Sequence, residues 1–147
     1  MSRLPMSKTH KLGYAAVLGM EAYSAKSVSR ELYELIKLRA SILNGCSYCT
    51  DMHSQDGMKH GISTAKLFAV AAYNDSPLFT VAERAALRLT DAVTRLDPAE
   101  GVSDEVWDEA AEHFEEKDLG NLILAIATIN VWNRIAITTR LEPPVRA

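Results

Sequence analysis

Apolar positions recur at helical spacing along almost the whole chain, and no run shows the alternation of a half-buried strand. The pattern predicts helices over about 8–23, 27–43, 46–60, 63–73 and 80–95, a sixth opening at Ser103, and a seventh over about 118–139. Local punctuation marks the joints. Ser27 is placed to cap the second helix, and Asn44-Gly45 to end it, since both residue types tolerate a left-handed C-terminal cap. Gly61 stops the third and Ser63 caps the fourth. Asn74-Asp75-Ser76-Pro77 has turn chemistry. Thr80 with Glu83 three residues on is a capping-box pattern, and Leu96-Asp97-Pro98 closes that helix. Val106, Ala110 and Phe114 are the inward candidates of the sixth helix. The reading is all-α, about six to seven helices in one domain over 1–147.

Two elements depart from simple amphipathic patterning. On the second helix Leu32, Leu35, Ile36, Ile42 and Leu43 form an apolar stripe. Arg39 falls inside that stripe and Glu34 at its flank. A buried arginine needs a carboxylate or carbonyl partner, so a structural or intersubunit ion pair is expected at Arg39. The seventh helix is apolar nearly all round, from Leu122 to Ile137, which marks an element buried in the fold or in a subunit interface. On that ground the chain is expected to form a homo-oligomer.

Composition narrows the function. A net charge of −3 lacks the concentrated Lys and Arg excess of a nucleic-acid binder. The run 119–129 is short of the ~20 apolar residues of a membrane span and is broken by Gly120, Asn121 and Thr128. The first eleven residues hold basic residues without the apolar run of a signal peptide. A cytoplasmic protein is expected, with neither nucleic acid nor membrane as partner.

The chain has two cysteines, and both lie in Cys46-Ser47-Tyr48-Cys49. A disulfide framework would spread them to close larger loops. Placed at the start of a helix, Cys46 and Cys49 share one face, and His53 stacks on Cys49 one turn further on. Only the thiolate attacks a peroxide, and both the helix N-terminus and a nearby histidine favour it. A second thiol three residues away can condense with the sulfenic acid formed, and an outside dithiol can reduce the resulting disulfide. Zinc competes: Cys46, Cys49 and His53 supply three ligands, with Glu34 or His60 as a fourth, but a second separated pair is missing. His60 otherwise reads as a helix C-terminal residue facing the dipole. His10 and His113 read as surface residues.

The spacing Glu34, eleven residues, Cys46, two residues, Cys49, three residues, His53 resembles the AhpD-like alkylhydroperoxidase family of the carboxymuconolactone decarboxylase superfamily. So do the string from Glu34 to Ser41 leading into Asn44-Gly45-Cys46, and Asn130-Val131-Trp132-Asn133-Arg134 in the last helix. The resemblance spans about 32–140. It implies an all-α bundle assembled as trimers or hexamers, and a thiol-dependent peroxidase acting on a hydroperoxide with an external dithiol reductant, lipoyl-type among the options. No cofactor and no metal are implied. By position, Cys49 becomes the attacking thiol, Cys46 the resolving one, Glu34 the general base and His53 the rest of a proton relay. The family's best-characterised peroxidases carry histidine where this chain has Tyr48, which reads as a packing residue with its hydroxyl bonded nearby. The superfamily's decarboxylases lack the cysteine pair. A redox-sensing protein would use the same thiols, and turnover with a dithiol separates the two.

Overall fold

The structure, a computed structural model, describes residues 2–145. Among them are a short α1 (Met6–Thr9), α2 (Lys11–Ser27), α3 (Arg30–Asn44), α4 (Ser47–Lys59), α5 (Thr64–Ala69), a 3₁₀ segment (Val70–Asp75), α6 (Val81–Thr94), α7 (Asp104–His113) and α8 (Glu116–Thr139). No strand forms among these residues; an isolated bridge, Asp97 to Gly101, pins the loop between α6 and α7. The expected all-α class is the observed one, with differences at the element ends.

The first expected helix is broken at His10 into α1 and α2, and α2 runs on to Ser27. Ser27 therefore does not cap the next helix. Its hydroxyl bonds back to the Tyr23 carbonyl at 2.8 Å, and Ser29 takes the N-cap position of α3 with no side-chain bond. The fourth expected helix is α5 followed by the 3₁₀ segment, kinked at Ala72. The other caps fall at the expected positions. Ser63 Oγ accepts from the Lys66 N–H, Ser103 Oγ from the Val106 N–H, and Thr80 and Glu83 form the reciprocal capping box.

α3 and α8 pack together and hold the rest: α4 and α6 lie against α3, and α2, α4, α6 and α7 against α8. The α3 stripe delivers Leu35 and Ile36 to the core, and Leu38 from beside the stripe joins them, where they meet Leu87 and Leu89 of α6 and Leu122, Ala125 and Ile126 of α8. Each such aliphatic side chain contributes about 1.5–3 kcal/mol on burial. α8 is the one helix among the described residues long and apolar enough to cross a membrane. Here it is the helix on which five others pack. Leu124 and Ile137 nonetheless stay exposed on it, and α2 leaves Leu12, Leu18, Met20 and Tyr23 at the surface.

Arg39 has its carboxylate. Nε and Nη2 donate to the two oxygens of Asp91 at 2.6 and 2.9 Å, and Nη1 reaches the Ala71 carbonyl at 3.0 Å. The guanidinium lies 5.0 Å from the Tyr73 ring centre, and the Tyr73 hydroxyl closes the set on Asp91 at 2.9 Å. The pair lies within one chain and ties α3 to α6 and the 3₁₀ segment, a structural role.

Candidate active site

The α3–α4 junction sets the cysteines. Gly45 sits at φ +70°, in the left-handed region that ends a helix, and the next N–H, of Cys46, bonds to the Ser41 carbonyl at 2.9 Å. The chain turns at once into α4, so Cys46 is its N-cap, and its sulfur accepts the Cys49 N–H at 3.3 Å. Cys46 and Cys49 are joined by a disulfide, with Cα atoms 5.4 Å apart. Both are buried. A disulfide is expected at this spacing, and the turn geometry delivers it.

One turn along α4, His53 is 3% exposed and its Nδ1 lies 2.9 Å from Glu34 Oε2 on α3, itself 2% exposed. Glu34 also has the half-exposed Arg30 guanidinium at 3.8 Å. With the carboxylate accepting from Nδ1–H, the tautomer leaves Nε2 as a proton acceptor. Nε2 is buried and has no hydrogen-bond partner among the described residues. All four residues singled out by spacing thus come together where α3 meets α4. His10, His60 and His113 lie exposed away from them. Tyr48 is half-buried beside the disulfide, but its hydroxyl forms no hydrogen bond with the described residues, so the bonded packing role expected for it is corrected to a lining role. No group of three or more His, Cys, Asp or Glu in the described residues is arranged to hold a metal ion.

A second polar group lies beyond what spacing suggests. Lys37 on α3 is 1% exposed, and its Nζ donates to Glu21 Oε1 of α2 and to the Tyr33 hydroxyl, the latter at 2.8 Å. Tyr33 also donates to Glu21 Oε1, and Trp132 Nε1 donates to the other oxygen at 2.9 Å. Burial pushes the Lys37 ammonium below its ordinary pKa, while Glu21 pulls it the other way. Burial would raise the Glu21 carboxyl, but the Lys37 charge and the bonds from Lys37 and Tyr33 outweigh it, and the carboxyl sits below its usual range. The Tyr33 hydroxyl is raised by burial and by Glu21.

The signal for part of this is present in the chain. Glu34, Lys37, Ser41 and Asn44 recur at three- and four-residue steps, a second and polar stripe on the same helix. Its lower half is tied to the last helix. Asn44 donates to Asn130 and Asn133 at 2.9 and 2.8 Å, and Asn133 donates to Ser41 at 3.1 Å. The asparagines around Trp132 therefore anchor α8 against the end of α3 that leads into Cys46.

A cavity of about 210 Å³ opens against this assembly, with Cys49, Lys37 and Glu21 on its wall and Tyr14, Leu18, Met52 and Trp132 giving it an apolar character. Tyr14 and Trp132 meet edge to face, centres 5.1 Å apart. Such a chamber suits a compact ligand with an apolar body and a reactive polar end.

The sequence is 38% identical over 126 residues to uncharacterized protein YdfG of Bacillus subtilis, covering 85% of each chain. A crystal structure of a protein of unknown function from Agrobacterium tumefaciens, for which an AhpD role in antioxidant defence has been suggested, superposes with a TM-score of 0.95 at 35% identity. The match covers 99% of this chain and 100% of that one. The debrominase Bmp8, solved with 2,3,4-tribromopyrrole, shares the fold with a TM-score of 0.84 at 24% identity, over 95% of this chain and 74% of its own. The sequence profile of the carboxymuconolactone decarboxylase family matches residues 12–92, and with that span and these relatives the chain belongs to the AhpD-like part of this family.

Proposed function

We propose that the protein is a thiol-dependent peroxidase that reduces hydroperoxides through Cys49 and Cys46, with Glu34 and His53 moving the protons. The observation that carries this reading is the buried Glu34–His53 pair, with His53 one turn along α4 from a disulfide whose Cys49 lines an apolar cavity. In the reduced protein, His53 Nε2 takes the Cys49 proton and Glu34 offsets the imidazolium charge. The thiolate attacks the terminal peroxide oxygen. The O–O bond breaks, the alkoxide takes a proton from the relay and leaves as alcohol, and Cys49 becomes the sulfenic acid. The Cys46 thiol then attacks that sulfur. Water leaves, and the disulfide forms. A dithiol reductant restores both thiols and is itself oxidised to a disulfide.

The cysteine pair favours this chemistry over decarboxylation, which needs no disulfide. The test is peroxide consumption by purified protein with an organic hydroperoxide and dithiothreitol. Turnover is expected for wild type and loss to background for Cys49→Ser. A single stoichiometric oxidation with no turnover would leave a redox switch instead of a peroxidase.

The same reading includes self-association. Met20 and Tyr23 of α2 together with Leu124 of α8, all exposed, line one cleft of about 320 Å³, a surface of the kind that oligomers cover. Light scattering should give a multiple of 16.2 kDa, and a trimer or hexamer is expected; a mass of one chain, unchanged with concentration, would sink this.

A further inference from the structure

The two sulfurs of the disulfide face different spaces. Cys49 lines the apolar cavity described above, and Cys46 does not. Cys46 lines a separate cleft of about 400 Å³, which Cys49 does not touch. That cleft runs between the α3–α4 turn and the chain leaving α8, with Gly45, Ser47, Ile137, Arg140 and Glu142 on its walls. Tyr48, Ala136 and Leu141 contribute to both spaces and form the partition between them. Arg140, left-handed at φ +55°, turns the chain after α8 so that Leu141 falls into this partition; the Leu141 N–H bonds to the Ala136 carbonyl at 2.9 Å.

We infer that the disulfide is served from two sides: peroxide reaches Cys49 through the apolar cavity, and a thiol reductant reaches Cys46 through the cleft beside Arg140. This rests on the peroxidase reading for its first half only. The second half is thiol–disulfide exchange and holds for any role the disulfide has.

The chemistry agrees with the geometry. A thiolate displaces at sulfur along the line of the S–S bond, so a nucleophile for Cys46 must come from the side away from Cys49. The cleft supplies a space that touches Cys46 alone. The sulfur that leaves should be the better-stabilised thiolate. Lys37 in its cavity and His53 one turn along the same helix favour Cys49 in that role, while the Cys49 N–H on Cys46 Sγ favours Cys46, so the open cleft beside Cys46 is what assigns the attack to it. The reductant thiolate forms a bond to Cys46 Sγ, the S–S bond breaks, and its electron pair stays on Cys49 Sγ. The second thiol of the reductant then attacks the mixed disulfide and releases Cys46 as a thiolate. The reductant leaves as a disulfide, two electrons poorer, and its two protons pass to the site. Both cysteines are almost fully buried, 2% and 1% exposed, so the thiol must be small or borne on an extended arm.

The deciding experiment uses the oxidised protein and a monothiol, 2-mercaptoethanol, which halts at the mixed disulfide. The freed cysteine is capped at once with N-ethylmaleimide, and the peptide is sequenced by mass spectrometry. The adduct is expected on Cys46 and the cap on Cys49, by at least tenfold; the reverse pattern, or equal labelling, overturns the inference. This result does not depend on peroxide turnover, so its failure is distinct from failure of the peroxidase reading. Two variants outside the proton relay probe the cavity and the cleft separately. Ile137→Trp should slow reduction of the disulfide by dithiothreitol at least fivefold and leave oxidation of the reduced protein by peroxide as in wild type. Leu18→Trp should do the opposite. Both variants slowing the same half-reaction, or neither slowing any, would also overturn it. Circular dichroism and melting temperature identify a folding failure, in which case Ile137→Phe and Leu18→Phe take their place.

Discussion

α3 carries charged groups toward two parts of the molecule, and the two are built to opposite ends. On the side facing α6, Arg39 is satisfied: a bidentate carboxylate, a backbone carbonyl and a ring face surround it. On the side facing α4, Glu34 holds one nitrogen of His53, one turn along α4 from Cys49, while the other nitrogen stays buried with no hydrogen-bond partner among the described residues. A network with every valence met holds elements together. A network with one nitrogen left over keeps a position free for a proton, as the proposed relay requires. The difference separates structural from chemical charge on one helix.

The comparison predicts a double dissociation, largest at the reactive end. Glu34→Gln should lower the peroxidase rate by ~10²–10⁴-fold, about 3–5 kcal/mol in barrier, while urea midpoints shift little, because glutamine can still bond to His53. Wild-type turnover in this variant would return Glu34 to an ordinary ion-pair role. Asp91→Ala should do the reverse. It strips a mostly buried arginine of its carboxylate and should cost about 2–3 kcal/mol in a urea titration, between the values for exposed and buried pairs, with the folded fraction still turning over. A stability change below about 0.5 kcal/mol would remove the structural side of the contrast.

A third test uses pH. The Glu21 carboxyl is held below its ordinary 4.5. Its stabilising contribution is therefore complete above pH 4.5 and is lost as pH falls through the lower folded value. Unfolding midpoints should drop below pH 4.5, with a change in Trp132 emission because the indole donates to Glu21. Glu21→Gln should lack that component, and an unchanged acid limb in this variant would exclude Glu21 as its source. The smallest effect lies far from both networks. Thr80→Ala removes the α6 capping box and should cost about 1 kcal/mol with no change in rate.

The 3.6-residue period alone determines the all-helical class, and hydroxyl side chains that bond to the backbone determine three of the helix starts. Ser63, Thr80 and Ser103 cap where their sequence context places them, because capping is a local interaction. Ser27 misleads for the same local reason. A serine before a helix and a serine ending one look alike in sequence, and only the course of α2 distinguishes them. Glu34, Cys46, Cys49 and His53 are legible because the last three share a helix face and Glu34 stands at a recognisable offset from them. Lys37 is half-legible in the polar stripe from Glu34 to Asn44, which the stronger apolar stripe beside it obscures.

What only tertiary structure decided is the set of pairings between distant segments. Glu21 lies on a largely exposed helix with no local mark of function, and it became part of the site when α2 docked beside α3 and α8. The chain foretells that Arg39 needs a carboxylate, but not that it is Asp91, fifty-two residues away. The division of the disulfide between a cavity and a cleft depends on Leu141 folding back against Tyr48 and Ala136. Periodicity and capping act within a few residues, so a chain records them directly. Burial of charge and the shape of a cavity are sums over segments that meet only in three dimensions, and no single segment encodes them.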